Sequence, residues 1–242
     1  MSRVAARRRG ERWYAKGHRM LQRLGCERWL DFRWCEILCS GQPNGVPSGW
    51  DIDSLWLGEA GPPDQEWLAG LAPGRAREFA ERWEAGRRCY AAGLSQAGEF
   101  RCVGYLWVAV GPTRLPGQGS YVWDLPAGCA WYFDAYFHPL ILGTYPDLAR
   151  YVAQRLREEG IPRLLGQVEY DNRVSRRVHR MLGGERLGWI ATVRVMGIAV
   201  HLDRHGEHGW RVRWGRMPAR LAGFLPPAMA GEPTPAAQQE AV

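Results

Sequence analysis

Three apolar and aromatic runs follow one another without an intervening helix: Arg88–Leu94, Phe100–Val110 and Cys129–His138. A helical period follows them at Pro146, and a further strand, a helix and two more strands come after it. Successive strands joined by short polar turns pair antiparallel, whereas a helical crossover is what a parallel neighbour requires. A chain written in this order makes neither a doubly wound alternation nor a two-sheet sandwich. The expected fold class is α/β, with a mixed, mostly antiparallel sheet and helices on both faces.

The flanking elements follow from periodicity and punctuation. Asp51–Leu57 alternates as a strand, and Asp64 is placed to cap a short helix through Leu71. Arg75–Gly86 puts Ala76, Phe79, Ala80 and Trp83 on one face and stops at a glycine. Pro146–Glu159 has Pro at its first position, a face of Leu148, Tyr151, Val152 and Leu156, and Gly160 beyond its end. Arg163–Tyr170 reads as a strand. Asn172 can cap the next helix, which Val174, Val178, Met181 and Leu182 line before Gly183-Gly184. Leu187–Ile190 and Thr192–Leu202 read as closing strands, and Gly111–Gly119 as a loop.

Upstream, residues 1–30 carry Trp13, Met20, Leu21, Leu24, Trp29 and Leu30 at spacings that suggest amphipathic helices. Trp34–Cys39 is a short candidate strand, and the turn-rich stretch at 41–49 reads as a linker. The expected organisation is a basic helical extension and linker over 1–49, a main domain over 50–202, and a C-terminal extension over 203–242, flexible after 224.

With 46% hydrophobic and 24% charged residues, the composition is that of a globular chain. No run of 18 apolar residues occurs, and no apolar stretch of signal-peptide type follows the basic N-terminus, so a cytoplasmic protein without a transmembrane segment is expected. The net charge of +7 is almost entirely Arg. It is read as surface charge, with no nucleic-acid partner expected. The 6 cysteines are scattered singly without a C-x-x-C pair; Cys89, Cys102 and Cys129 fall in or beside strand runs as core residues. His201, His205 and His208 are read as solvated loop residues, and no metal is expected.

The order of elements resembles the GNAT (GCN5-related N-acetyltransferase) superfamily, and particular residues carry the likeness. Arg88–Val110 is similar to its central hairpin, and Trp131–Pro139 (WYFDAYFHP) to its fourth strand. Asn172–Gly184 (NRVSRRVHRMLGG) follows its Asn-x-x-Ala/Ser helix pattern through Asn172, Ser175 and Gly183. The resemblance spans roughly Trp50 to Leu202 and implies an acyltransferase domain there, using acetyl-CoA or another acyl-CoA as co-substrate, without a metal. It departs from the pattern at the pyrophosphate loop, where Leu142 stands for Arg, Tyr145 for Gly, and Asp147 adds a carboxylate beside the helix N-terminus. It departs again at His179, which occupies the place of the family's Tyr.

The resemblance implies that Tyr136, Phe137, Gly143, Thr144, Asn172 and Ser175 contact the cofactor. Amine acylation needs a proton acceptor for the ammonium and a donor for the departing thiolate. Asp134, a carboxylate inside an apolar strand, is the candidate base or ammonium anchor, with pairing to an arginine as its structural alternative. Glu169 is a second candidate. His179 is the candidate donor, with Tyr136 and Tyr170 behind it, while Arg150 and Arg155 are placed to replace the loop arginine. The acceptor is expected to be a small-molecule or peptide amine. An acyl-carrier protein as donor and a non-catalytic binding module remain open alternatives.

Overall fold

The computed structural model describes residues 30–40, 55–96, 99–116, 121–138, 144–196, 198–205, 209–215 and 219–220, together with Met20. Expectations for residues 1–19 and 21–29, the 41–49 linker, Leu142, Gly143, His208 and the tail after 220 lie outside these. Twelve strands and four α-helices are present among the described residues. The strands are β1 (Leu30–Ser40), β2 (Leu55–Ala60), β3 (Arg88–Gln96), β4 (Glu99–Val110), β5 (Thr113–Pro116) and β6 (Tyr121–Leu125). They continue as β7 (Cys129–Phe137), β8 (Arg163–Glu169), β9 (Glu185–Val195), β10 (Ile198–His205), β11 (Arg211–Gly215) and β12 (Ala219–Arg220). The helices are α1 (Gln65–Leu71), α2 (Ala76–Glu84), α3 (Tyr145–Glu158) and α4 (Arg173–Met181).

Nine strands form one sheet in the order β11-β10-β9-β1-β8-β7-β4-β3-β2. Each neighbouring pair is antiparallel except β7 and β8, which α3 connects. That is the mixed α/β sheet expected from three consecutive strands followed by a helical crossover. Helices cover both faces. On one face Leu68 of α1 and Phe79 of α2 pack with Tyr105 and Trp107. On the other, Leu148, Val152 and Leu156 of α3 pack with Tyr90, Leu106, Val108 and Tyr132. Burying side chains of this size stabilises by roughly 1.5–3 kcal/mol each, which makes the two aromatic-rich layers the main cohesive force.

Several boundaries differ from those expected, each for a local reason. The strand expected at Asp51–Leu57 runs on to Ala60, where Leu55 pairs with Leu94 and Ala60 with Cys89, while residues 51–54 lie outside those described. The loop expected at Gly111–Gly119 contains β5, which pairs with β6 and, through it, β12 in a small separate sheet. Pro116 is tolerated there because it ends an edge strand. The closing hairpin breaks at Met196, whose φ of 50° makes the turn, and Ala191 stays buried inside β9. His201, expected in a solvated loop, is only 2% exposed on β10 and lies 3.1 Å from the Thr192 hydroxyl. Cys89, Cys102 and Cys129 are buried, as expected.

The division at 41–49 does not separate an extension from the sheet. Strand β1 lies inside it, pairing with β8 from Cys35↔Glu169 to Ser40↔Leu164 and with β9 from Leu30↔Val195 to Cys39↔Glu185. Ile37 and Leu38 are 1% and 3% exposed, so the strand belongs to the core. Nor does the sheet stop at 202, since β10 runs to His205 and β11 adds a further strand. Deleting residues 1–40 is expected to abolish cooperative unfolding, because β8 and β9 each lose an inner neighbour. Thermal denaturation followed by circular dichroism checks this; a sharp transition near that of the intact chain would refute it.

Candidate active site

Everything at the site turns on one irregularity in β7. Trp107 of β4 faces Asp134, and the next residue, Val108, faces Tyr132, so Phe133 is an extra residue on β7. A bulge of this kind re-aims the side chains that follow it. Ala130 and Tyr132 pack toward α3, Asp134 bonds to residues at α2, and Phe137 is again on the α3 side. The parallel ladder with β8 ends at the same point, its last pair being Tyr132↔Gly166. Beyond it β7 and β8 share no ladder pair, and a cleft of about 300 Å³ lies between them.

Glycine at 166 is required by this arrangement. A Cβ there would stand 1.8 Å from the Tyr132 ring, which lies over the bare backbone. Gly166→Ala is expected to displace that ring and to cost about 1–3 kcal/mol, the usual range for overpacking. Urea denaturation of the variant is the check.

The cleft is lined by residues of β7 (Tyr132, Phe133, Asp134, Ala135), of β8 (Gln167, Val168, Glu169) and of α4 with its cap (Asn172, Ser175, His179), together with Tyr145. A second cavity of about 200 Å³ shares Ala135, Tyr145, Asn172 and Ser175 with it and adds Phe137, Val174 and Val178. The two together are in the size range of small-molecule sites. Asn172 caps α4 as expected, its side-chain oxygen accepting from the Ser175 N–H at 3.0 Å. Phe137 meets the Tyr145 ring edge-to-face at 4.8 Å. Thr144 is fully buried at the start of α3. Tyr136 is 39% exposed, stacks on Tyr105, and lines neither cavity with its side chain.

Asp134 takes the structural alternative raised for it. Its Oδ2 accepts from Arg75 at 2.7 Å and from Arg82 at 2.6 Å. Arg75 also donates to the Tyr105 hydroxyl, and both arginines bond Glu78. Arg82 lies over the rings of Trp107 and Phe133 at 5.2 and 5.0 Å. A substrate ammonium would have to compete with two guanidinium groups for that oxygen. Glu169 lines the cleft from the opposite strand.

His179 is 2% exposed and stacks on the Tyr132 ring, with centroids 4.9 Å apart. Its Nε2 lies 3.1 Å from the Tyr132 hydroxyl and 3.1 Å from the Tyr145 hydroxyl. Burial lowers its pKa from 6.5 to about 4, so the imidazole is neutral at physiological pH. It holds no imidazolium proton to give a leaving group there. Burial raises the Tyr145 and Tyr132 phenols, which therefore stay protonated. Tyr145 was legible in the sequence only as a misfit in a glycine position. Its hydroxyl reaches His179 from another helix, a proximity no local spacing encodes.

At the start of α3, Asp147 is 6% exposed and pairs with Arg150 at 2.8 Å. Burial raises its pKa, and Arg150 opposes that rise. Arg150 is thus engaged with the carboxylate, and Arg155 pairs with Glu158 further along the helix. Among the described residues no group of three His, Cys, Asp or Glu could hold a metal ion, and no helix is long and apolar enough to cross a membrane.

The order of strands and helices and the Asn-capped helix after β8 are those that the GNAT resemblance implies, and the fold is of that type. Solved structures with a similar shape include a GNAT-family protein from Novosphingobium aromaticivorans, at 15% identity and a TM-score of 0.44 over 66% of this chain and 63% of that one. A GCN5-related N-acetyltransferase from Sphaerobacter thermophilus is 12% identical, with a TM-score of 0.46 over 76% of this chain and 55% of that one. The aminoglycoside N-acetyltransferase AAC(6')-Iy in complex with CoA is 16% identical, with a TM-score of 0.38 over 53% of this chain and 90% of that one. The chain thus spans less than two thirds of the length of the first two. No family model and no curated protein matches it.

The His179 pKa carries a consequence for stability. Unfolded, the imidazole takes up a proton near pH 6.5, whereas the folded protein holds it neutral down to about pH 4. Its contribution is complete above about pH 6.5 and is lost as pH falls toward about 4, by on the order of 3 kcal/mol. Denaturant unfolding across that window is expected to show the loss, and His179→Gln to flatten it.

Proposed function

We propose that the protein is an acyl-CoA-dependent N-acyltransferase that transfers an acyl group, acetyl in the simplest case, to an amine. The observation that carries this reading is the parting of β7 and β8 beyond Tyr132↔Gly166. Past that pair, the β8-facing backbone edge of β7 has no ladder partner among the described residues. An extended pantetheine arm bears amides that can pair with such an edge as an added strand would. Its thioester would then lie along β7 beyond the bulge, and backbone N–H groups near Phe137 would polarise the carbonyl. Asn172 and Ser175, at the junction of the two cavities, would flank the arm.

The acceptor enters as an amine attacking the thioester carbonyl. Two carboxylates, Asp134 and Glu169, line the larger cleft, and no Arg or Lys does. Asp134 is held by Arg75 and Arg82, and Glu169, on the opposite wall of the cleft, would take the acceptor's proton.

A second reading concerns the donor. The buried Asp147 puts a carboxylate into the first turn of α3, and Arg150 is spent on it. A negative charge there opposes a pyrophosphate at the same helix end. This favours a donor that presents pantetheine without the nucleotide, as an acyl-carrier protein does.

Calorimetric titration with acetyl-CoA and acetyl-pantetheine tests both readings. Binding of either that falls at least about tenfold, equivalent to 1.4 kcal/mol, in Ser175→Trp supports the cleft as the donor site. Comparable affinity for the two ligands favours the carrier-protein donor, and tighter acetyl-CoA binding favours CoA. Absence of binding by both would refute the enzyme reading and leave a non-catalytic module.

A further inference from the structure

The resemblance places the thiolate's proton donor at position 179, but the residue there is a histidine that burial keeps neutral. We propose that the hydroxyl of Tyr145, reaching the cleft from the start of α3, is the group that protonates the departing sulfur, with His179 acting through it as a positioning residue. This rests on the acyltransferase reading above. Three observations carry it. Tyr145 lines both cavities at their junction, where a thioester running along β7 would meet the acceptor side of the cleft. Its hydroxyl lies 3.1 Å from Nε2 of His179, which is almost wholly buried and stacked on the Tyr132 ring. Its ring is fixed edge-to-face against Phe137, so the hydroxyl has little freedom to swing.

The chemistry balances without a further reactant. The acceptor nitrogen forms the C–N bond and the carbonyl becomes a tetrahedral oxyanion. As that intermediate collapses, the C–S bond breaks and its electron pair passes to sulfur. The Tyr145 O–H proton moves to the sulfur, giving the thiol, and the phenolate left behind is held by the N–H of neutral His179. The proton released by the acceptor nitrogen returns through cleft water to the Tyr145 oxygen. In this arrangement His179 is the Nε2–H tautomer, donating to Tyr145 so that the tyrosine's own hydrogen faces the cleft.

The test separates proton donation from packing by changing the leaving group. An alkyl thiolate such as that of CoA needs a proton as it departs, whereas a p-nitrothiophenolate leaves unaided. Wild-type protein and Tyr145→Phe are compared with acetyl-CoA and with S-acetyl-4-nitrothiophenol, using benzylamine, glycinamide and spermidine as acceptor probes. Circular dichroism and acetyl-CoA titration establish that the variant folds and still binds. We expect kcat with acetyl-CoA to fall about 100-fold, the lower end for loss of a general acid, with less than about a threefold fall for the aryl thioester. His179→Gln should show the same donor-dependent pattern with smaller losses, since a glutamine amide can still donate to Tyr145. Equal losses with both donors, or no loss with either, would overturn the assignment while leaving acyl transfer intact. Wild-type protein inactive with both donors and all three amines would instead overturn acyl transfer and this assignment together.

Discussion

The contact between the Tyr132 ring and the bare backbone of Gly166 holds the architecture and the candidate chemistry in one place. It closes the one parallel pair of the nine-stranded sheet, and the extra residue Phe133 follows immediately on the same strand. A parallel pair continued in register would bury the backbone edge that the cleft exposes. A pair ended earlier would leave Tyr132 without the flat surface it lies on, and His179 without the ring it stacks on. The bulge therefore does two things at once: it stops a ladder, and it turns Asp134 toward α2 and its two arginines.

Around that point the site separates into two electrostatic environments. On the α2 face, Asp134, Arg75, Arg82, Glu78 and Tyr105 form a network whose charges are mutually satisfied. On the α3 face, Tyr132, Tyr145 and His179 form a buried neutral cluster in which proton position, not net charge, is the variable. The first environment suits fixing geometry and the second suits handing on a proton. Neither is a stability device in itself, since buried polar clusters return little more than the desolvation they cost.

Much of this was legible in the sequence, and the limits are physical. The three consecutive strands, the helices through Phe79 and Leu148, and the cap at Asn172 all express local periodicity or local hydrogen bonding. Strand β1 was visible as the apolar run Trp34–Cys39, but its place between β8 and β9 was not, because pairing across more than a hundred residues leaves no mark in spacing. The bulge was invisible for a related reason: one extra residue shows only against its partner strand. Asp134 looked like a site residue because a carboxylate in an apolar run is costly. The arginines that offset that cost lie on a separate helix, and so did the hydroxyl that completes the His179 cluster.

The position of β1 also orders events in time. Strands β2, β3 and β4 can zip together from neighbouring stretches of chain, but β1 has its partners in β8 and β9, made far later. Until those emerge, the first strand of the sheet has two open edges and nothing to lay them against. Such long-range closure is slow and leaves sticky edges exposed while it waits. A growing chain would hold this inner strand unclaimed until β8 and β9 are made, a period in which chaperone protection counts more than final stability.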